Sequence, residues 1–165
     1  MTELKPISKG GIPNALKKAE RYRLIADPSQ AESICLDILD VDPENHEAQI
    51  MLILALSDQL RYRVEAYCEA QERILALASE YERAYYTGVI RERRARAVYA
   101  SASMGKGFVA YEWFHRALES YKEAESLRSE GNDDPLYRWN AVARTLNRHT
   151  SLQPAPEDAS PQMME

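Results

Sequence analysis

Three Asp-Pro pairs, Asp27-Pro28, Asp42-Pro43 and Asp134-Pro135, punctuate this chain of 165 residues. Each pair dictates local backbone. The Asp carboxylate accepts hydrogen bonds from the free N–H groups that open a helix. Proline suits the first helical position, where a missing N–H is no loss. The residue before a proline avoids helical angles. An Asp-Pro pair therefore ends one helix and begins the next. Composition points the same way. There are only six glycines, β-branched runs are nearly absent, and the common residues are those that lose little entropy in a helix. The expected fold class is all-α.

Apolar periodicity predicts seven helices. The first covers about 12–25, with Ile12, Ala15, Leu16, Ala19 and Tyr22 on one face. The second covers about 28–40, with Ala31, Ile34, Cys35, Ile38 and Leu39. The third, about 44–60, carries Ala48, Leu52, Ala55 and Leu56 among further apolar residues, so burial on more than one side is expected. From Arg61 to Met104 there is one glycine, Gly88, and no proline. That stretch is too long for one ordinary helix, and a break is placed at Ser79-Glu80, where serine caps. The fourth helix, about 62–78, then buries Val64, Tyr67, Cys68, Ile74 and Leu75. The fifth, about 80–103, buries Tyr81, Tyr85, Gly88, Val98, Tyr99 and Ala102. Gly105 and Gly107 break the chain before a sixth helix, about 108–129, with Ala110, Trp113, Phe114, Ala117, Leu118, Tyr121 and Ala124. The seventh, about 135–148, carries Leu136, Trp139, Val142, Ala143 and Leu146.

The folded domain is expected over 12–149, a size that buries a core without disulfides or metal. Residues 1–11, with Pro6, Gly10 and Gly11, read as a flexible N-terminus. Residues 150–165, with Pro154, Pro156 and Pro161, read as a disordered tail. No run reaches the roughly 18 apolar residues of a membrane span, and Met1–Gly11 lacks the apolar region of a secretory signal. The expected compartment is the cytoplasm. Cys35 and Cys68 lie at apolar helix positions without zinc spacing and read as reduced core thiols.

Small residues recurring where helices touch, together with Asp-Pro at the close of a helix pair, resemble the tetratricopeptide repeat, a helix–turn–helix unit of about 34 residues. With its terminal proline on Pro43, the small slot of the first helix falls on Ala19 and its tyrosine on Tyr22. The small slot of the second helix falls on Ala31. Cys35 takes an aromatic slot, a departure. "VDPENHEAQ" resembles the junction into a next repeat. Ala110, Phe114 and Ala117 are similar to a second repeat helix. "DDPLYRWNAVARTL" resembles a new first helix, with Trp139 and Ala143 in its aromatic and small slots. "GNDDPLYRWNAVAR" is similar to a block of uncharacterised bacterial proteins of this type, which carries no function across. Residues 57–105 match poorly. The resemblance implies a right-handed α-α superhelix whose concave groove takes a helix or extended segment of another protein. The Lys/Asn clamp with which some members grip chaperone C-termini is absent, because the corresponding slots hold Leu16, Glu20 and Met51.

The richest local feature is the Arg/Tyr helix 81–99. Arg91 and Arg94 share a face, as do Arg93 and Arg96, and arginine makes bidentate contacts to carboxylates and phosphates. Tyr85, Tyr86, Arg91, Arg93 and Arg94 are the expected partner-binding residues. The competing readings are a solvated face with pairs such as Glu92–Arg96, tyrosines lining helix seams, and nucleic-acid or phospholigand binding through the same helix. A net charge of -5 argues against general nucleic-acid affinity. Glu112-x-x-His115 has di-iron spacing but lacks the second motif such a site needs. His46 and His149 read as helix-end residues. Met104-Gly105-Lys106-Gly107 is no phosphate loop, and no catalytic constellation emerges. The expectation is a non-enzymatic interaction module without cofactor or metal. Self-association is a further expectation, because few residues follow the seventh helix to cover it.

Overall fold

The computed structural model describes residues 2–156. It is all-helical, with no strand among the described residues, and divides into two compact units, Met1–Ala78 and Ser79–Glu165.

The first unit holds α1 (Ile12–Leu24), α2 (Pro28–Val41), α3 (His46–Asp58) and α4 (Ala66–Leu75). Each helix packs on the next, and α1 also touches α3. Ile12, Leu16, Ile38 and Ala48 form a core cluster, with Ala15, Ile34, Leu39 and Val41 packed against it. Ala19, Ala31 and Cys35 are buried, as their small or apolar positions require. Burial pushes the Cys35 thiol up to about 12, so it stays protonated at neutral pH. Ile7 also packs on this cluster and Lys9–Gly11 forms a 3-10 turn, so order begins before residue 12.

The Asp-Pro pairs behave differently from one another. Asp27 caps α2 as expected, accepting from the Gln30 N–H. Asp42 instead closes a turn: its carbonyl and its carboxylate each take a hydrogen bond from Asn45 at 3.0 Å. Asn45 is the cap of α3, accepting from the Ala48 N–H at 3.0 Å, so that helix starts at His46 and not near 44. Asn and Asp are about equal as caps, and here the second carboxylate is committed to the turn. α4 is shorter than expected, and of its expected face only Ile74 is fully buried. Ala66, Ala70 and Ile74 are inside, while Val64, Cys68 and Leu75 are exposed. Two alanines set four apart allow a closer helix approach than the bulkier residues that define the expected face.

α1 ends on Ala26 at φ 61°. Its N–H returns to the Arg23 carbonyl and that of Asp27 to the Tyr22 carbonyl at 2.8 Å, a Schellman cap with Ala26 in the left-handed position. For an L side chain that conformation costs ~1–2 kcal/mol. Ala26→Gly relieves it, less ~0.4–1 kcal/mol for the looser unfolded chain. The expected result is a gain of about 0.5–1 kcal/mol, read as a higher urea midpoint at constant m.

The second unit holds α5 (Glu80–Ala100), α6 (Lys106–Leu127) and α7 (Asp134–Arg148), with α6 packed against both neighbours. Ser79 caps α5 as expected, accepting from the Glu82 N–H. Gly105, at φ 70°, makes the turn into α6. Ala110, Phe114, Ala117, Leu118, Tyr121 and Ala124 are buried on α6 as expected, whereas Trp113 is only half-buried. The expected disordered tail from residue 150 is corrected at its start. Leu152 is 5% exposed, and the Ser151 carbonyl lies where a Cβ on Gly107 would stand. Residues 157–165 of that tail lie outside the described residues. No helix among the described residues is long and apolar enough to cross a membrane.

Candidate functional site

The polar centre of the second unit is Glu92. It lies four residues after Gly88 and three before Ala95, on a face of α5 that also carries Ala84. The small residues let α6 approach closely, and the approach buries the carboxylate. A Cβ on Gly88 would sit 2.5 Å from Cε1 of Tyr121, so only glycine leaves room for that ring. The ring in turn aims its hydroxyl at Glu92 Oε2, to which it donates at 2.7 Å.

A buried carboxylate must be paired and hydrogen-bonded. Arg96, one turn further along α5, donates from Nε at 3.0 Å and from Nη2 at 2.9 Å to Glu92 Oε1. Its guanidinium also lies 5.8 Å from the Phe114 ring centroid. Arg138 arrives from α7, with Nη1 3.6 Å from Glu92 Oε2 and the Tyr85 hydroxyl within hydrogen-bonding reach. Three helices therefore converge on one carboxylate. Burial, then the Glu92 charge, drives the Tyr121 hydroxyl far above its ordinary value. Burial opposes the charge on Arg138, yet Tyr85, Tyr121 and Glu92 together raise it.

The seam between α5 and α7 continues on either side of this centre. Tyr81 stacks on Tyr85 at 5.9 Å and hydrogen-bonds to Asn132. Tyr99 meets His149 at 5.6 Å and shares a hydrogen bond of 2.8 Å with Ser151. Tyrosines thus line the seam, with Arg96 and Arg138 between them.

Of the residues expected from sequence, Tyr85 is on this seam, tilted against Tyr121 at 6.1 Å. Tyr86 meets Tyr85 edge-on, and burial pushes its hydroxyl up to about 12. Arg91 turns to α6, where it donates to the Ser120 hydroxyl at 2.8 Å and to the Arg116 carbonyl. At 100° per residue, Arg93 points roughly 160° away from Arg91 and Arg94 roughly 60° away. The five residues do not share one face. The expected Glu92–Arg96 pair forms, but in a buried setting and not on a solvated face. Arg138 lies outside the expected set, and nothing in its local spacing sets it apart. Its place depends on how α7 docks.

In the first unit, Arg63 links the turn before α4 to Glu32 on α2 at 2.8 Å and to Glu69 on α4. Those two carboxylates, Glu32 first, hold its guanidinium above its usual range. Glu112 and His115 are exposed on α6, with His115 against Tyr111 at 4.3 Å. Among the described residues no three His, Cys, Asp or Glu side chains gather as a metal ion would require. No protein-family model, curated protein or solved structure matches the chain.

Proposed function

We propose that this chain is a non-enzymatic interaction module of tetratricopeptide-like construction, and that the α5/α7 seam takes an extended segment of another protein. The observation that carries the reading is the seam itself. Rigid tyrosines flank two half-exposed arginines whose positions are fixed by a buried carboxylate. Tyrosine and arginine are the side chains that most often anchor protein interfaces, because they give area and directed hydrogen bonds at low entropic cost. The repeat-like construction is supported by each helix packing on its successor within each unit, by the α1–α3 contact, and by the buried small residues Ala19, Ala31, Ala110 and Ala117. In this reading the contact set moves from Tyr85, Tyr86, Arg91, Arg93 and Arg94 to Tyr81, Tyr85, Arg96 and Arg138. Arg93 points away from Arg91 and Arg94, and Arg91 is drawn to α6, so the three form no single basic stripe for a nucleic acid.

The test is affinity purification followed by mass spectrometry with three baits of equal thermal stability. These are the wild type, Tyr81→Ala/Tyr85→Ala, and Arg91→Glu/Arg93→Glu/Arg94→Glu. The expected result is a protein held by the wild type and the arginine variant and lost by the tyrosine variant. Retention by the tyrosine variant with loss from the arginine variant would return the surface to the three arginines. An identical catch on all three baits would remove both.

A further inference from the structure

Glu92 is 3% exposed, whereas the side chains of Arg96 and Arg138 are 48% and 34% exposed. The carboxylate is enclosed and the two cations are reachable from outside. An arginine carries five N–H donors. Arg96 directs Nε and Nη2 to one Glu92 oxygen, and Arg138 brings Nη1 toward the other. Each guanidinium keeps N–H groups that Glu92 does not use. Both are also oriented before any ligand arrives, Arg96 by Glu92 and the Phe114 ring and Arg138 by Tyr85 and Glu92. Ordering two long side chains is a cost that most anion sites meet on binding, and here the fold has already met it.

Charge selects the ligand. Two guanidinium groups and one carboxylate leave one positive charge, and burial holds the Tyr121 hydroxyl that faces them in its neutral form. One carboxylate balances that surplus. A phosphomonoester, at about −1.5 to −2 near pH 7, exceeds it. The stacked pair Tyr81–Tyr85 beside the arginines offers apolar ring surface to residues that flank the acid.

Resting on the seam reading above, we infer that Arg96 and Arg138, braced on the buried carboxylate of Glu92, form a subsite for a single Asp or Glu side chain of the partner's extended segment. The probe is an array of decapeptides blocked at both ends, so that only side chains supply an anion. Asp, Glu, phosphoserine, Gln or Lys is fixed at the centre over randomised flanks, and the full chain is the analyte. A charge-assisted hydrogen bond contributes about 1.5–3 kcal/mol. The Asp and Glu sets are therefore expected to bind roughly tenfold or more above the Gln and Lys sets, with the margin shrinking as salt rises. Arg138→Gln brings the trio to zero charge while Arg96 continues to satisfy Glu92, and it should abolish most of that margin. The triple variant Glu92→Gln/Arg96→Gln/Arg138→Gln removes all three charges together, leaves none unpaired, and should do the same. Binding without acid preference, or a preference that survives both variants, overturns the subsite and leaves the seam reading standing. A stronger phosphoserine signal overturns the choice of carboxylate. No binding by any set overturns both.

Discussion

Gly88→Ala is expected to destabilise the protein by about 2–4 kcal/mol, although the same change in an open helix stabilises by ~1 kcal/mol. The added Cβ would stand 2.5 and 2.6 Å from Cε1 and Cδ1 of Tyr121, inside contact distance of a ring that is 1% exposed. That ring cannot swing aside freely, because its hydroxyl is tied to Glu92 at 2.7 Å. Overpacking of this kind costs ~1–3 kcal/mol. Moving the ring also weakens a hydrogen bond to a charged group, of ~1.5–3 kcal/mol. The sum exceeds the helix-propensity gain. Urea unfolding measures the change, and Gly10→Ala is the control, because nothing lies within 4 Å of a Cβ there. Combining Gly88→Ala with Tyr121→Ala should cost less than the two single changes added, since the second removes the ring that the first strikes. A neutral or stabilising Gly88→Ala would mean that the ring does not hold α5 and α6 at their observed separation.

Gly88 also shows how far the sequence could be read. It stands out as the single glycine in a long helical stretch, and Ala84, Gly88, Glu92 and Ala95 fall on one face at helical spacing. Small residues at that spacing announce a close helix neighbour. Helix order and most boundaries were readable for the same local reasons, since caps and prolines act within a few residues. Ser79 and Asp27 cap as expected. The second Asp-Pro pair failed because Asn45, three residues on, competes for the same role, and propensity ranks Asn and Asp too closely to choose; in the third, Asp134 is itself the first helical residue and the α7 cap, Asp133, makes no side-chain capping bond. The buried face of α4 differs from the expected one because the Ala66–Ala70 spacing, and not the bulkier Val64 and Leu75, sets how the helix docks. The candidate site was half legible. Glu92 and Arg96 are neighbours along one helix, so their pairing follows from spacing. Arg138 and Tyr121 come from 46 and 29 residues away, and which residues meet across such separations depends on docking angles that no local pattern encodes. The same limit applies to Arg91, whose hydrogen-bond partner Ser120 is 29 residues away on α6.

Tyr121→Phe should cost about 2 kcal/mol near neutral pH and progressively less in alkali. Removing the hydroxyl leaves Glu92 Oε2 buried with only the Arg138 contact at 3.6 Å, and an unsatisfied buried acceptor costs ~1–3 kcal/mol or more if charged. The pH dependence follows from the direction of the Tyr121 shift. Burial and the adjacent Glu92 charge raise its pKa in the folded protein above the unfolded value of 10.0. The stability tied to the neutral hydroxyl is therefore fully present below pH 10. It is lost as pH rises further, because the unfolded chain ionises first and binds fewer protons. Each such group contributes a slope of about 1.4 kcal/mol per pH unit. Tyr86, raised to about 12, and Tyr81 add to the alkaline loss in both proteins. The phenylalanine variant lacks the share of Tyr121 alone. Unfolding curves recorded from pH 7 to 12 should show a constant gap up to about pH 10 and convergence above it. A gap that stays constant to pH 12 would place the Tyr121 hydroxyl in water and deny Glu92 its buried partner.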